Sequence, residues 1–562
     1  MADPPFIYQL RRWPGAGRYD CIAKNCVVAS KHTLIGEAGC KMIRRGGNAV
    51  DAAVAAAFMD CVVEPAMNGL GGEGVMAIHL TSGDNVIIDY VGRPSKNCRA
   101  DMYELTDEIE LGWMGWRRVK DDANIIGHKA STTPGTVAGL TEALERYGTM
   151  KLSEVIAPAI EVAEEGFPVG WWNSGPIFQR MKAFWHFKEW RRIFLQDGQF
   201  PYQPYNYSLP KPEVLVQKDL AKSLRSIAER GREAFYNGWI ADAITKEMSE
   251  NGGLITLDDL ESYESVVANP ELGSYRGYEV LYDPTHAGTT LIEMLNILEG
   301  YDIKKYGFGS ANTLHLISEA IGLAFSDRFE YMGDPDYVKV PQKALASKEY
   351  ATERRKSIRL DKANLITEGK PWPFELEHTT ALAIGDKKGN MVCVNQTLVD
   401  TFGSGVVIPG TGITMNNAMY GLDPEPGHAN SINGRKRRLQ NVCPTILLKG
   451  GAPYLALGAP GSRNIPIAVL QVILHIVDFD MGIQEAIEAP RCTRSTDRLY
   501  INSRFPPEVR DELIEKGQDV DWIDEELRDW ARPVGVLRDA KRMLHGGVTT
   551  ILTEFESRAV GC

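Results

Sequence analysis

Two threonines stand side by side at Thr379 and Thr380, and a third, Thr397, closes the stretch EHTTALAIGDKKGNMVCVNQT. A threonine hydroxyl is a weak nucleophile unless a base takes its proton, and one solution is a threonine whose own α-amine does so. A free α-amine has an ordinary pKa of about 8, close enough to neutrality to serve. An internal threonine gains that amine only if the chain is cut, here between His378 and Thr379. The flanking segments ALAIG and MVCVN alternate as strands do, and DKKGN between them has Gly and Asn suited to the positive φ of a tight turn. A hairpin symmetric about Lys388 sets Ile384 against Val392, Ala381 against Asn395 and Thr379 against Thr397. Directly opposed residues have Cβ atoms about 4.5–5.5 Å apart, so the two hydroxyls can meet. A cross-strand Thr–Thr pair without chemistry is the simpler account of this stretch taken alone.

The elements around the hairpin mix both periodicities. Residues 46–63 read as a small, apolar helix capped by Asn48, and 75–80 and 85–91 as a strand hairpin across TSGD. Amphipathic helices are predicted at 137–147, 153–165, 213–230, 233–248, 289–299 and 312–328. Strands return at 381–385, 391–397, 445–448, 454–458 and 547–553, with helices at 465–478 and 483–488. Strand pairs beside long helices point to an α+β fold or a layered αββα one. The Pro-containing segment 369–378 reads as an exposed linker where cleavage is tolerated. GLGGEG at 69–74 matches a dinucleotide-binding pattern, but a helix precedes it and a strand follows, the reverse of what that site needs. Its glycines fit a tight turn or a close backbone approach instead.

Composition narrows the function classes. The chain has 562 residues, 44% hydrophobic, with net charge −12 and pI near 5.5, so nucleic acid and anionic membranes are disfavoured partners. The one basic run, Arg435 to Arg438, reads as a solvated loop, with an anionic substrate group as the lesser alternative. The N-terminal stretch has no apolar core of a secretory signal, and no run of eighteen apolar residues occurs. Nine cysteines, scattered and without a CxxC pair, suggest a reduced, cytoplasmic protein rather than a disulfide scaffold or a zinc site. HExxH and GxSxG are absent.

Several stretches occur in the order found in the γ-glutamyltransferase family of N-terminal-nucleophile hydrolases. They include GGNAVDAAVAAAF, NGLGGEGVMAIHL, TTPGTVAGL, GGLITLDDLESY, the block from Thr379 to Asn417, and APGSRN. The chain resembles that family from about Ala23 onward. The resemblance implies a four-layer αββα sandwich and a precursor that cuts itself ahead of Thr379. Fragments 1–378 and 379–562 would stay together as one catalytic heterodimer, alone or in a higher oligomer. It makes Thr379 the nucleophile of both self-cleavage and turnover and Thr397 its hydrogen-bonding partner. The backbone N–H groups of Gly461 and Ser462 become the oxyanion donors, where the family usually has two glycines. No metal or organic cofactor is implied.

The chain also departs from the family pattern. The family's glutamate-binding asparagine reads Val399, its aspartate Gly421, and its Ser-Ser pair Gln440-Asn441; its arginine has no clean match, Arg93 being nearest. A glutamate zwitterion would lose most of its partners, a cost of several kcal/mol. The pattern is closer to the cephalosporin acylase and oxamate amidohydrolase branch. Arg93 suits a substrate carboxylate, or a surface salt bridge. Gln440 and Asn441 suit a polar acyl group, or loop capping. The segment 170–193, with four Trp and three Phe, suits a core or subunit contact better than an aromatic lid. Cys393 and Cys443 read as buried strand residues, and His378 as a tolerated linker residue. The expected function is a self-processing amidohydrolase or acylase acting on a small amide. A γ-glutamyltransferase or glutathione hydrolase, and a catalytically silent binding protein of the same fold, are the alternatives.

Overall fold

In this computed structural model the described residues are 20–109, 116–204, 213–364, 378–495, 498–524, 530–550 and 557–562. Alternation along the threonine hairpin sends Ala381 and Ala383 to one face and Leu382 and Ile384 to the other, and all four are fully buried. A strand buried on both faces needs a layer on each side.

In chain order, β1 (Cys21–Ala23), β2 (Cys26–Ser30), α1 (Thr33–Arg44), α2 (Ala49–Val63), β3 (Glu73–His79) and β4 (Asn85–Asp89) come first. β5 (Val266–Ala268), β6 (Glu271–Tyr275), β7 (Tyr278–Tyr282), α3 (Gly288–Glu299) and α4 (Ala311–Tyr331) follow. The threonine hairpin is β8 (His378–Asp386) and β9 (Met391–Val399). The last elements are β10 (Thr445–Lys449), β11 (Ala452–Gly458), α5 (Asn464–Val477), β12 (Val534–Arg538), β13 (Leu544–Val548) and β14 (Arg558–Gly561).

Two seven-stranded antiparallel sheets result, ordered β5-β4-β3-β9-β8-β2-β14 and β1-β13-β12-β11-β10-β7-β6. Small residues of both inner faces form the core between the sheets, among them Ala29, Ala77, Ala381, Ala383, Ala456 and Val536. The outer face of the first sheet packs Leu382, Ile384, Val392 and Val394 against α1, α2 and their neighbours. The outer face of the second packs Leu447, Leu455 and Leu457 against α3, α4 and α5. This is the four-layer αββα arrangement. Among the described residues no helix is long and apolar enough to cross a membrane.

The expected helices form, with two revisions. The helix expected from 213 starts at Lys218, after the short strand Val214–Leu215. The one expected across 233–248 divides at Gly238 into Arg232–Tyr236 and Trp239–Glu250. The strand expected at 547–553 is β13, which ends at Val548; positions 551–553, the linker 369–377 and the N-terminal stretch lie outside the described residues. Of the aromatic segment, Trp190, Phe184 and Trp172 are buried in the core while Trp171, Phe178 and Trp185 are exposed.

Candidate active site

The hairpin keeps the expected register from Gly385–Met391 down to Thr380–Gln396. There a β-bulge intervenes. His378 pairs with Val399, so Thr379 faces Thr397 and Leu398 together rather than Thr397 alone. A bulge of this kind re-aims side chains at a strand end. The Thr397 hydroxyl accepts the Val399 N–H at 2.7 Å, which holds the turn leaving β9. Val399 is fully buried with φ of +85°, a conformation that β-branched residues rarely adopt. At the other end of the hairpin only Gly389 takes a positive φ, of 104°. Asn390 instead donates its amide to Asp386 at 2.7 Å.

Helix α2 lies lengthwise against this hairpin. Its start is a capping box, with the Asn48 side chain accepting from Val50 and Asp51 and the Asp51 carboxylate accepting the Asn48 N–H. The Asp386 carboxylate of the hairpin turn accepts the Ala49 N–H at 3.2 Å, where the positive end of the helix favours it. Eleven residues of helix from Ala49 to Asp60 span ~17 Å, and six of strand from Asp386 to Thr380 ~20 Å, so the far ends also meet. There Asp60 accepts from Thr380 Oγ1 at 3.2 Å, from Gln396 Nε2 at 2.9 Å and from Asn68 Nδ2 at 2.9 Å. Burial and the neighbouring Glu64 carboxylate push Asp60 well above the usual carboxylate range. Burial raises Glu64 too, against the pull of Lys31. Lys31, itself buried, donates to the Thr379 carbonyl at 3.0 Å and sits over the Trp172 ring. None of Lys31, Asp60 and Glu64 was singled out from the sequence. Two carboxylates four residues apart, at the end of a helix whose only other charge is the capping Asp51, were the available signal.

The loop after β11 approaches the same strand. Asn395 Nδ2 donates to the Ala459 carbonyl at 2.8 Å and reaches the Thr380 carbonyl at 3.4 Å, tying loop and hairpin together. Gly461 has φ of +129°, and a Cβ there would lie 2.4 Å from Ala531 Cα, so glycine is required. Ser462 follows at φ +53°, buried. The carbonyls of Gly461 and Ser462 accept the first N–H groups of α5, while their own N–H groups meet no acceptor among the described residues.

The basic run is not a solvated loop, contrary to the reading from composition. Arg437 and Arg438 are buried because acidic partners distant in sequence close around them, and Lys436 is buried where its ammonium donates to the Ala429 and Ser431 carbonyls, while Arg435 stays exposed. Arg437 pairs with Asp89, Asp334 and Asp336 at 3.0, 2.7 and 2.8 Å, and Arg438 with Glu73 at 2.7 Å. Glu73 is in register with Thr397 on the adjoining strand and also accepts from Gly92 N and from Gln440 Nε2 at 2.5 Å. Gln440 Oε1 and Asn441 Nδ2 are buried without a partner among the described residues. Arg93 lines a cavity of about 200 Å³ together with Arg435, Tyr263, Asp259 and Glu264, and makes no ion pair within 4 Å among the described residues.

The gamma-glutamyltranspeptidase family model matches residues 36–547. The chain belongs to this family. The glutathione hydrolase proenzyme of Escherichia coli (strain K12) is 38% identical over 520 residues, covering 89% of this chain and 86% of the relative. The acylase ACY 1 proenzyme of Pseudomonas sp. (strain V22) is 40% identical over 497 residues, covering 88% and 87%. The crystal structure of a cephalosporin acylase from Bacillus halodurans aligns with a TM-score of 0.85 at 29% identity, over 100% of this chain and 99% of that one.

Membership of the gamma-glutamyltranspeptidase family makes this chain an enzyme that cleaves or transfers amide C–N bonds, in line with its relationship to the acylases. Against the family pattern, the strained Val399 occupies the position expected to be asparagine, a residue that tolerates positive φ far better. Gln440 and Asn441, in place of the Ser-Ser pair, carry the buried unpaired polar atoms.

Proposed function

We propose that this enzyme is a self-processing amidohydrolase with Thr379 as its nucleophile. The precursor would be cut between His378 and Thr379, giving fragments 1–378 and 379–562 and freeing the Thr379 α-amine. What supports this reading is the convergence on one strand end of Thr379, the adjoining Thr397 and the Gly461–Ser462 loop tied in by Asn395. Thr379 Oγ attacks the substrate carbonyl while the α-amine takes its proton. The Gly461 and Ser462 N–H groups receive the oxyanion; donation from the backbone does not depend on the side chain at Ser462. The amine leaves, and water or a second amine takes the acyl group.

The substrate best suited to the site is a small amide other than a γ-glutamyl compound. Arg438, the buried cation in line with Thr397, is already neutralised by Glu73, and Val399 offers no hydrogen bond from its side chain. Gln440 Oε1 and Asn441 Nδ2 remain for a polar acyl group, and Arg93 for a carboxylate at the margin.

Intact-mass analysis of the purified protein beside Thr379→Ala tests this proposal. Two fragments meeting at His378 and Thr379, with the variant uncut, is the expected result. A single uncut chain for the native sequence would favour a silent protein of the same fold. Release of glutamate from a γ-glutamyl anilide, at rates matching those on other acyl amides, would instead favour the glutathione hydrolase reading.

A further inference from the structure

Three cysteines that take no part in the proposed amide chemistry come together at the edge of the first sheet. Cys26 opens β2, Cys40 lies on α1 and Cys562 follows β14. The two strands are paired: Cys562 N–H donates to Cys26 O at 3.0 Å, and Cys26 N–H to Cys562 O at 3.2 Å. Helix α1 packs over both, with the Cys40 thiol donating to the Val560 carbonyl at 3.4 Å. The three sulfur atoms therefore lie within 4.8 Å of one another. Cys26 and Cys40 are fully buried, and Cys562 is half-buried on the outer side. Asp386 is the register partner of Cys26, so the cluster sits at the turn end of the hairpin, seven residues or ~24 Å along the strand from Thr379.

A disulfide can use only two of three such thiols. A thiophilic metal ion uses all of them. Zinc–sulfur bonds of about 2.3 Å set thiolates ~3.8 Å apart, so closure asks for movements of ~1 Å or less. Soft thiolate sets select monovalent copper and zinc over harder ions. Cys562 also lines a cavity of about 620 Å³ whose wall includes Arg44, Lys387 and Lys388. The cavity gives an ion a way in and leaves room for a solvent ligand. Its cations offset the net negative charge of three thiolates around one ion.

We propose that Cys26, Cys40 and Cys562 form a binding site for one soft d10 cation, Zn²⁺ or Cu⁺, which clamps α1 to the β2–β14 edge. Binding breaks three S–H bonds, forms three metal–sulfur bonds and releases the three protons to solvent, so affinity falls as pH falls. The absence of a CxxC pair does not bear on this site, because its ligands come from positions 26, 40 and 562.

The full chain, reduced and stripped with a chelator, is titrated with Zn²⁺ and, anaerobically, with Cu⁺, each against a chromophoric competitor. One equivalent of at least one ion per chain, with a rise in melting temperature, is expected. Cys562→Ser should bind at least 10-fold more weakly, while Cys492→Ser should bind as the parent does. Cobalt(II) should give thiolate charge-transfer absorption in the parent and lose it in Cys562→Ser. A measurement independent of any variant is alkylation of Cys562, mapped by mass spectrometry, which should slow when the ion is present. Uptake of neither ion, unchanged affinity in Cys562→Ser, or unchanged alkylation of Cys562 would each overturn the proposal. So would a disulfide within the trio in protein isolated under the same reducing conditions.

Discussion

Ser462 holds a left-handed backbone with a side chain that gains nothing visible from it. Such a conformation costs a non-glycine residue about 1–2 kcal/mol. Ser462→Gly should therefore raise stability by about 1 kcal/mol, less the flexibility glycine adds to the unfolded chain, and leave turnover intact. A thermal melt beside an amide assay reads both. Gly461→Ala should do the reverse, losing stability and turnover together, because its Cβ would collide with the Ala531 backbone. Val399→Asn is a sharper case. Lost apolar burial of about 1.5 kcal/mol competes with relief of a strain of similar size, so the melting temperature should move little. A fall typical of a polar residue in a well-packed core would show that Val399 carries no strain. The threonines and the glycine loop were legible because they lie in contiguous motifs. The positive φ at Val399 and Ser462, and the bulge facing Thr379, were not, since each is imposed by neighbours brought in from elsewhere in the chain.

At the turn end of the hairpin, its pairing with α2 depends on one carboxylate. Asp386 Oδ1 accepts the N–H groups of Lys388, Gly389 and Asn390, while Oδ2 takes the Asn390 amide and the Ala49 N–H. Asp386→Ala leaves these donors without their acceptor, at about 1–3 kcal/mol for each buried one that finds no water. A loss of about 3 kcal/mol or more in denaturant unfolding is expected, with Asp386→Asn losing less. Both elements, and the register from Gly385 to Thr380, were legible from alternation and capping residues. Their alignment was not, because it rests on contacts between residues more than 300 positions apart. The basic run was misread for the same reason: Arg437 and Arg438 point inward because Glu73, Asp89 and Asp334 meet them there.

Charge also joins the distant parts of the chain. His286 is fully buried beside Asp89 and Asp283, at 3.3 and 3.7 Å. Burial opposes its protonation, but Asp283 and Asp89 outweigh it and raise its pKa. Burial likewise opposes ionisation of Asp89, yet His286 and Arg437 hold its carboxyl well below the usual range. A raised histidine contributes stability fully below its ordinary value of about 6.5, and that contribution is lost as pH climbs through the native value. The melting temperature should therefore fall as pH rises above about 6.5, and His286→Gln should flatten that slope. At the acid end the Asp89 contribution, present above about 3.9, is lost as pH drops through its lowered native value.

The proposed cut would fall within a sheet whose strands alternate between its products: β5, β4, β3 and β2 come from before Thr379, and β9, β8 and β14 from after it. The two pieces should co-elute in native size exclusion and part only in denaturant. Before the cut, the chain finds this arrangement by a search within one molecule. Afterwards the same arrangement requires two chains to meet, each with strands that lack their neighbours. Refolding of the cut protein should then depend on concentration, while the uncut Thr379→Ala chain should recover at a rate independent of it. The covalent link would act as a scaffold used once, and the finished enzyme would owe its persistence to the slowness of its unfolding rather than to any ready route back.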